Sequence, residues 1–210
     1  MSCSGSRVVC RALRPGADRG PQVMSRCALF ANTKPRHILI VPGIGNSGPE
    51  HWQSLWQSED QSALRVQQRD WDHPVCTQWC AALDDSIARA GHDVIIAAHS
   101  LGCLTVAHWA MTTSKAISGA LLVAPPDPDG PSFPVEVSGF APVPSLKLKF
   151  PTILVASADD PYGSLEFAKH CADSWGSRFV NVGPAGHINA SSGLGRWEQG
   201  RRLLQDLLAG

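Results

Sequence analysis

Ser100 lies in the run Ala98-His99-Ser100-Leu101-Gly102, directly after the apolar stretch Val94–Ala98. A serine on a sharp turn between a strand and a helix projects its hydroxyl clear of the backbone, where it can act as a nucleophile if its flanks are small. Ala98 and Gly102 meet that need, although Ala98 replaces the first glycine of the G-x-S-x-G pattern. The competing reading of such a serine is a simple helix cap. What separates the two is a base and an acid, because a serine hydroxyl is a poor nucleophile until a base takes its proton. Two later apolar runs end in those residue types. Thr152–Ala156 leads into Ser157-Ala158-Asp159-Asp160-Pro161-Tyr162, and Arg178–Val182 leads into Gly183-Pro184-Ala185-Gly186-His187. In this arrangement His187 takes the Ser100 proton and returns it to the leaving group, while a carboxylate fixes the imidazole tautomer. Chemistry alone leaves Asp159 and Asp160 equivalent.

An oxyanion formed at the substrate carbonyl needs backbone donors. The N–H of Leu101, next after the serine, is one candidate. The loop Pro42-Gly43-Ile44-Gly45-Asn46-Ser47-Gly48 supplies a second, with Ile44 as the donor, because its glycines allow close backbone approach. A phosphate cradle is excluded for this loop: no Gly-Lys-Ser/Thr follows and the spacing misses G-x-G-x-x-G. His51, Trp52, His99 and Tyr162 are candidates for the substrate pocket, with Trp56 more readily a core residue at its helical spacing.

These residues require a scaffold that brings strand ends together. Short apolar runs at 37–41, 63–67, 94–98, 120–124, 152–156 and 178–182 alternate with helical patterns at about 49–57, 75–90, 101–114, 164–175 and 194–208. Runs that are apolar on consecutive positions suit strands covered on both faces. Alternation of strand and helix predicts a doubly wound α/β domain, with Ser100, the acid and His187 all just beyond strand carboxyl ends. Residues 125–151 hold eight of the 16 prolines and little periodicity; they are expected to form a flap beside the site.

The 210 residues carry no net charge, yet residues 1–36 hold seven of the 18 basic residues and one acid, so the tail is +6 and the remainder −6. An acidic body argues against nucleic-acid binding. No run of 18 to 20 apolar residues suggests a membrane span. Residues 1–35 read as a disordered basic extension, with Met24 as an alternative start; a transit peptide fits its composition but not its prolines and glycines. Seven scattered cysteines suggest free thiols and a cytoplasmic protein. Cys76 and Cys80, four apart, have no second pair to complete a metal site, and neither metal nor cofactor is expected.

Several motifs in register resemble one family: Pro42-Gly43 with Gly48-Pro49-Glu50-His51-Trp52, then Ala98-His99-Ser100-Leu101-Gly102, Ala158-Asp159-Asp160-Pro161-Tyr162, and Gly186-His187-Ile188-Asn189-Ala190 with Gly193-Leu194-Gly195. Over residues 36–210 the chain is similar to the small YdeN-like serine hydrolases, related to mammalian retinoblastoma-binding protein nine. The resemblance implies a three-layer α/β-hydrolase fold on a compact, six-stranded, mostly parallel sheet with helices on both faces and little cap. It also implies that Asp160, immediately before the proline, is the acid. The expected activity is hydrolysis of small esters, thioesters or amides through an acyl-enzyme on Ser100, Asp160 and His187. An acyltransferase with the same trio, or a protein-binding module on a hydrolase scaffold, are the alternatives; no sequence feature supports a protein partner.

Overall fold

The computed structural model describes residues 37–91 and 93–209. The expectations for residues 1–35, including the alternative start at Met24, lie outside the described residues.

Six strands form one sheet: β1 (His37–Val41), β2 (Ala63–Arg65), β3 (Val94–His99), β4 (Gly119–Val123), β5 (Thr152–Ala156) and β6 (Arg178–Asn181). Their order is β2-β1-β3-β4-β5-β6, and every neighbouring pair is parallel. β3 and β4 lie inside the sheet and are buried at every position, which explains their unbroken apolar runs.

Side chains of successive strand residues point to opposite faces, and each face has its own helices. Leu39, Ile96, Leu122 and Leu154 meet α2 (Cys76–Ala90), α3 (Leu101–Thr112) and α4 (Leu165–Trp175) through Trp79, Leu104, Trp109 and Trp175. On the other face Ile40, Ile95, Leu121 and Val155 meet α1 (Trp52–Glu59) through Trp52 and Trp56, and α5 (Glu198–Ala209) through Leu204 and the preceding Trp197. This is the three-layer α/β-hydrolase fold, and its sheet is wholly parallel among the described residues.

Helix ends differ from the sequence reading where turns intervene. α1 begins at Trp52 rather than near residue 49, capped by His51, whose Nδ1 accepts the Gln53 N–H at 3.1 Å. α5 begins at Glu198 rather than 194, because residues 190–197 form a short 3₁₀ turn followed by Gly193 and Gly195 in left-handed conformations. Residues 125–151, expected as a flap beside the site, form an ordered strap. Phe140 is fully buried, Ser138 exchanges backbone bonds with Pro74 and Cys76, and the Trp175 indole N–H donates to the Pro144 carbonyl at 2.8 Å.

Among the described residues no helix is long and apolar enough to cross a membrane, and no cluster of three ligating side chains could hold a metal ion.

Candidate active site

The turn between β3 and α3 holds Ser100 at φ 54° and ψ −127°, a conformation that non-glycine residues rarely adopt. Its surroundings make the turn possible. A Cβ on Gly102 would collide with the Val41 carbonyl oxygen, and one on Gly43 would lie 2.8 Å from the Ser100 Cβ. Glycine at both places lets α3 and the loop after β1 close around the serine. Ala98 is fully buried in β3 and leaves that approach open.

Beyond β5 and β6 the chain brings the other two groups to the same sheet edge. The His187 Nε2 is 2.8 Å from the Ser100 Oγ, and its Nδ1 is 2.9 Å from both Asp160 oxygens. The His187 side chain is 9% exposed and that of Asp160 2%, so this hydrogen bond is shielded from water. Asp160 also accepts the Tyr162 N–H at 2.9 Å, which fixes the carboxylate on its turn.

Asp159, its neighbour, does something different. One carboxylate oxygen accepts the Ser157 hydroxyl at 2.7 Å, the Gly186 N–H at 2.7 Å and the Ala185 N–H at 2.8 Å. The Ser157 hydroxyl, then the backbone amides, hold its carboxyl below the usual carboxylate range. Asp159 thus ties the loop that carries His187 to the end of β5. Two buried side chains hold the same loop from below. The His99 Nε2–H donates to the His187 carbonyl at 2.8 Å, and the Trp52 Nε1–H donates to the Ile188 carbonyl at 2.9 Å. Burial, and then the nearby His187 and His51, push the His99 pKa well down, so its ring stays neutral.

These contacts correct one pocket assignment. Trp52 is 1% exposed and lies beneath the site among Trp56, Trp197 and His99, not on the cavity wall. Its indole is worth more packed against the sheet, with its one donor satisfied, than facing substrate. His51, His99 and Tyr162 do line the cavity, and the Tyr162 ring lies 4.6 Å from that of His187. The cavity encloses ≈ 320 Å³, and Phe133, Pro134 and Val137 of the proline-rich strap form one wall.

The two residues expected as backbone donors lie beside the cavity. Leu101 begins α3 and Ile44 borders the same cavity. The neighbouring amides are occupied: Gly45 donates to the Trp71 carbonyl at 2.9 Å and Asn46 to that of Gly43 at 3.2 Å. Arg65 braces this loop through the Asn46 Oδ1 at 2.6 Å and the Ser47 carbonyl at 3.1 Å.

The sequence reading missed Gln53. Completely buried, it donates from Nε2 to the carbonyls of Ala97 (2.9 Å), within β3, and Val41 (3.2 Å), the last residue of β1, and so ties together the two strands leading to the serine and the donor loop. The available signal was a glutamine three residues before Trp56, on the face the helix buries.

As a chemical arrangement, the imidazole can accept a proton from the hydroxyl while the carboxylate balances the resulting cation. The comparisons with known proteins agree with the fold. The serine hydrolase family model matches residues 38–206. No curated protein matches the sequence. A solved structure described as a YdeN-like hydrolase of Pectobacterium atrosepticum is 33% identical, with 82% of this chain and 91% of that chain covered and a TM-score of 0.72. The ydeN gene product of B. subtilis is 18% identical over 84% of this chain and 100% of that one, with a TM-score of 0.71. Est1E of Butyrivibrio proteoclasticus, solved with ferulic acid, shares the fold at 15% identity, covering 84% and 91% of the two chains with a TM-score of 0.63. With its family match spanning the sheet from β1 into α5, the chain belongs to the serine hydrolase family.

Proposed function

We propose that this hydrolase acts through an acyl-enzyme on small esters, thioesters or amides, with Ser100 as nucleophile, His187 as general base and acid, and Asp160 as the group that orients the imidazole. The observation that carries the reading is the unbroken chain from the Ser100 Oγ to His187 at 2.8 Å and on to Asp160 at 2.9 Å. Nε2 accepts the serine proton as the hydroxyl oxygen adds to the carbonyl carbon. The oxyanion formed then meets the N–H groups of Leu101 and Ile44, each such donor being worth about 3 kcal/mol in the transition state. Return of the proton from Nε2 releases the alcohol, thiol or amine, and water repeats the sequence on the acyl-enzyme.

The cavity volume of ≈ 320 Å³ lies at the small end for ligand sites, which supports short acyl groups. The described cysteines, Cys76, Cys80, Cys103 and Cys171, are unbridged, which supports a reducing, cytoplasmic setting. Reaction with a fluorophosphonate probe, followed by a panel of p-nitrophenyl esters of increasing chain length, tests the reading. Ser100→Ala should abolish labelling and lower kcat by about 10⁶-fold where chemistry limits turnover. Labelling that survives in the variant would refute it.

A further inference from the structure

A second cavity of ≈ 460 Å³, which the proposed hydrolysis does not use, is lined by Cys76, Cys80 and His108. Cys76 opens α2 and Cys80 follows one turn later, which sets the two thiols on one helix face with their sulfurs 4.0 Å apart. They are not equivalent. The Cys80 S–H has two acceptors within reach, the Thr105 carbonyl at 3.5 Å and the Cys76 sulfur at 4.0 Å, and given to Cys76 it stabilises a thiolate there. Cys76 is the first residue of α2, where the helix dipole favours an anion. The His108 Nε2–H donates to the Phe140 carbonyl at 3.0 Å, which leaves its other ring nitrogen free to take the Cys76 proton and then donate to the thiolate. Hydrogen bonding from Cys80, and then His108, hold the Cys76 thiol low against its burial; the same contact and burial push Cys80 up.

The proline-rich strap is anchored on these residues. The Cys76 N–H donates to the Ser138 carbonyl at 3.0 Å, and Gly139 lies against Cys76 so closely that a Cβ there would be 3.4 Å from the cysteine's own. Val137, the residue before Ser138, lines the Ser100 cavity.

We propose that Cys76 and Cys80 form a peroxide-oxidised thiol pair whose disulfide shifts the strap around Ser138 and so alters the Ser100 pocket. The effect on the pocket rests on the reading of Ser100 given above. The Cys76 thiolate attacks one oxygen of hydrogen peroxide; an S–O bond forms, the O–O bond breaks and hydroxide leaves, so that sulfur loses two electrons to become a sulfenic acid. The Cys80 sulfur then displaces that oxygen, forming the S–S bond, and its proton leaves with the hydroxyl as water. Cβ atoms one helical turn apart are about 5–6 Å from each other, whereas a disulfide needs about 3.5–4.5 Å. Closure must therefore draw Cys76 out of its place in the first turn and strain its bond to Ser138.

The experiment treats the full chain with hydrogen peroxide, alkylates the remaining thiols and digests with trypsin. The peptide Asp70–Arg89 contains both cysteines and no other. It should appear unalkylated and two hydrogens lighter, reverting with dithiothreitol. In Cys80→Ser the same peptide should carry a dimedone-trappable sulfenic acid on Cys76, and Ser100→Ala should oxidise like the wild type. A Cys76 that stays alkylatable, or that joins another peptide instead, would overturn the pair. Oxidation should change the rate of fluorophosphonate labelling of Ser100 by at least about fivefold, and Cys80→Ser should remove that change. Equal labelling rates before and after disulfide formation would overturn the coupling. Absence of labelling in the reduced protein would instead count against the Ser100 reading and leave the thiol result intact.

Discussion

His51 offers a quantitative check on how the site is buried. It is 4% exposed, its Nδ1 caps α1 by accepting the Gln53 N–H, and its Nε2 has no partner. A second ring proton would have to take the Nδ1 lone pair and break the cap. Burial, then the charge of Arg65, then that of His187, lower its pKa from 6.5 to about 4. Between those values the unfolded chain binds a proton that the folded chain refuses. Stability is therefore complete above the unfolded pKa and falls with acidification until about pH 4. At pH 5 the unfolded histidine is almost fully protonated and the folded one almost fully neutral, so the loss from pH 7 to pH 5 is about 2 kcal/mol. With a urea dependence of about 2 kcal/mol per molar, the unfolding midpoint should drop by about 1 M through this residue. His51→Asn keeps an acceptor that caps helices well and removes the titration. Urea unfolding followed by tryptophan fluorescence at pH 7 and pH 5 should show the variant losing about 2 kcal/mol less than the wild type across that interval. Comparing the interval rather than either pH cancels the cost of lost ring packing. Carboxylates remote from His51 affect both proteins alike, and His99 stays neutral in the variant because burial is the largest cause of its lowered pKa. Equal losses in the two proteins would show that His51 is protonated in the folded state as readily as in the unfolded one, and the burial reasoning would fail.

Asp160→Asn should leave the fold intact and reduce kcat by about 10⁴-fold with little change in KM, because an amide favours the wrong imidazole tautomer; steady-state kinetics on a p-nitrophenyl ester would measure it, and activity close to wild type would move the acid role elsewhere. Phe133→Ala should raise KM for longer acyl chains several-fold while sparing acetate esters, since Phe133 lines the cavity but is outside the fully buried core; a uniform effect across chain lengths would contradict its place in the acyl wall.

How much of this molecule could be read before folding depends on the range of the interactions involved. The strands at 37–41, 94–98 and 152–156 announce themselves because a strand covered on both faces has no polar side, and the serine turn because only small residues fit around it. The helix starts at Trp52 and Glu198 are less legible. Each is set by a cap or a run of left-handed glycines that competes with helical periodicity over only a few residues.

The sequence by itself determined the residue types, their order and the strand ends on which they stand, because covalent continuity links each functional residue to its own strand. The family resemblance points to Asp160 by its place before the proline, but only the tertiary structure gives the physical reason that it, and not Asp159, faces His187. Asp159 and Asp160 are adjacent and chemically identical, and their opposite tasks arise because one turn aims the first at the amides of Ala185 and Gly186 and the second at the imidazole. It also withdrew Trp52 from the pocket and set His99 beneath His187, in contacts spanning 136 and 88 residues of chain. No local pattern encodes such contacts, since they exist only once the sheet has brought the ends of β3 and β6 to one edge.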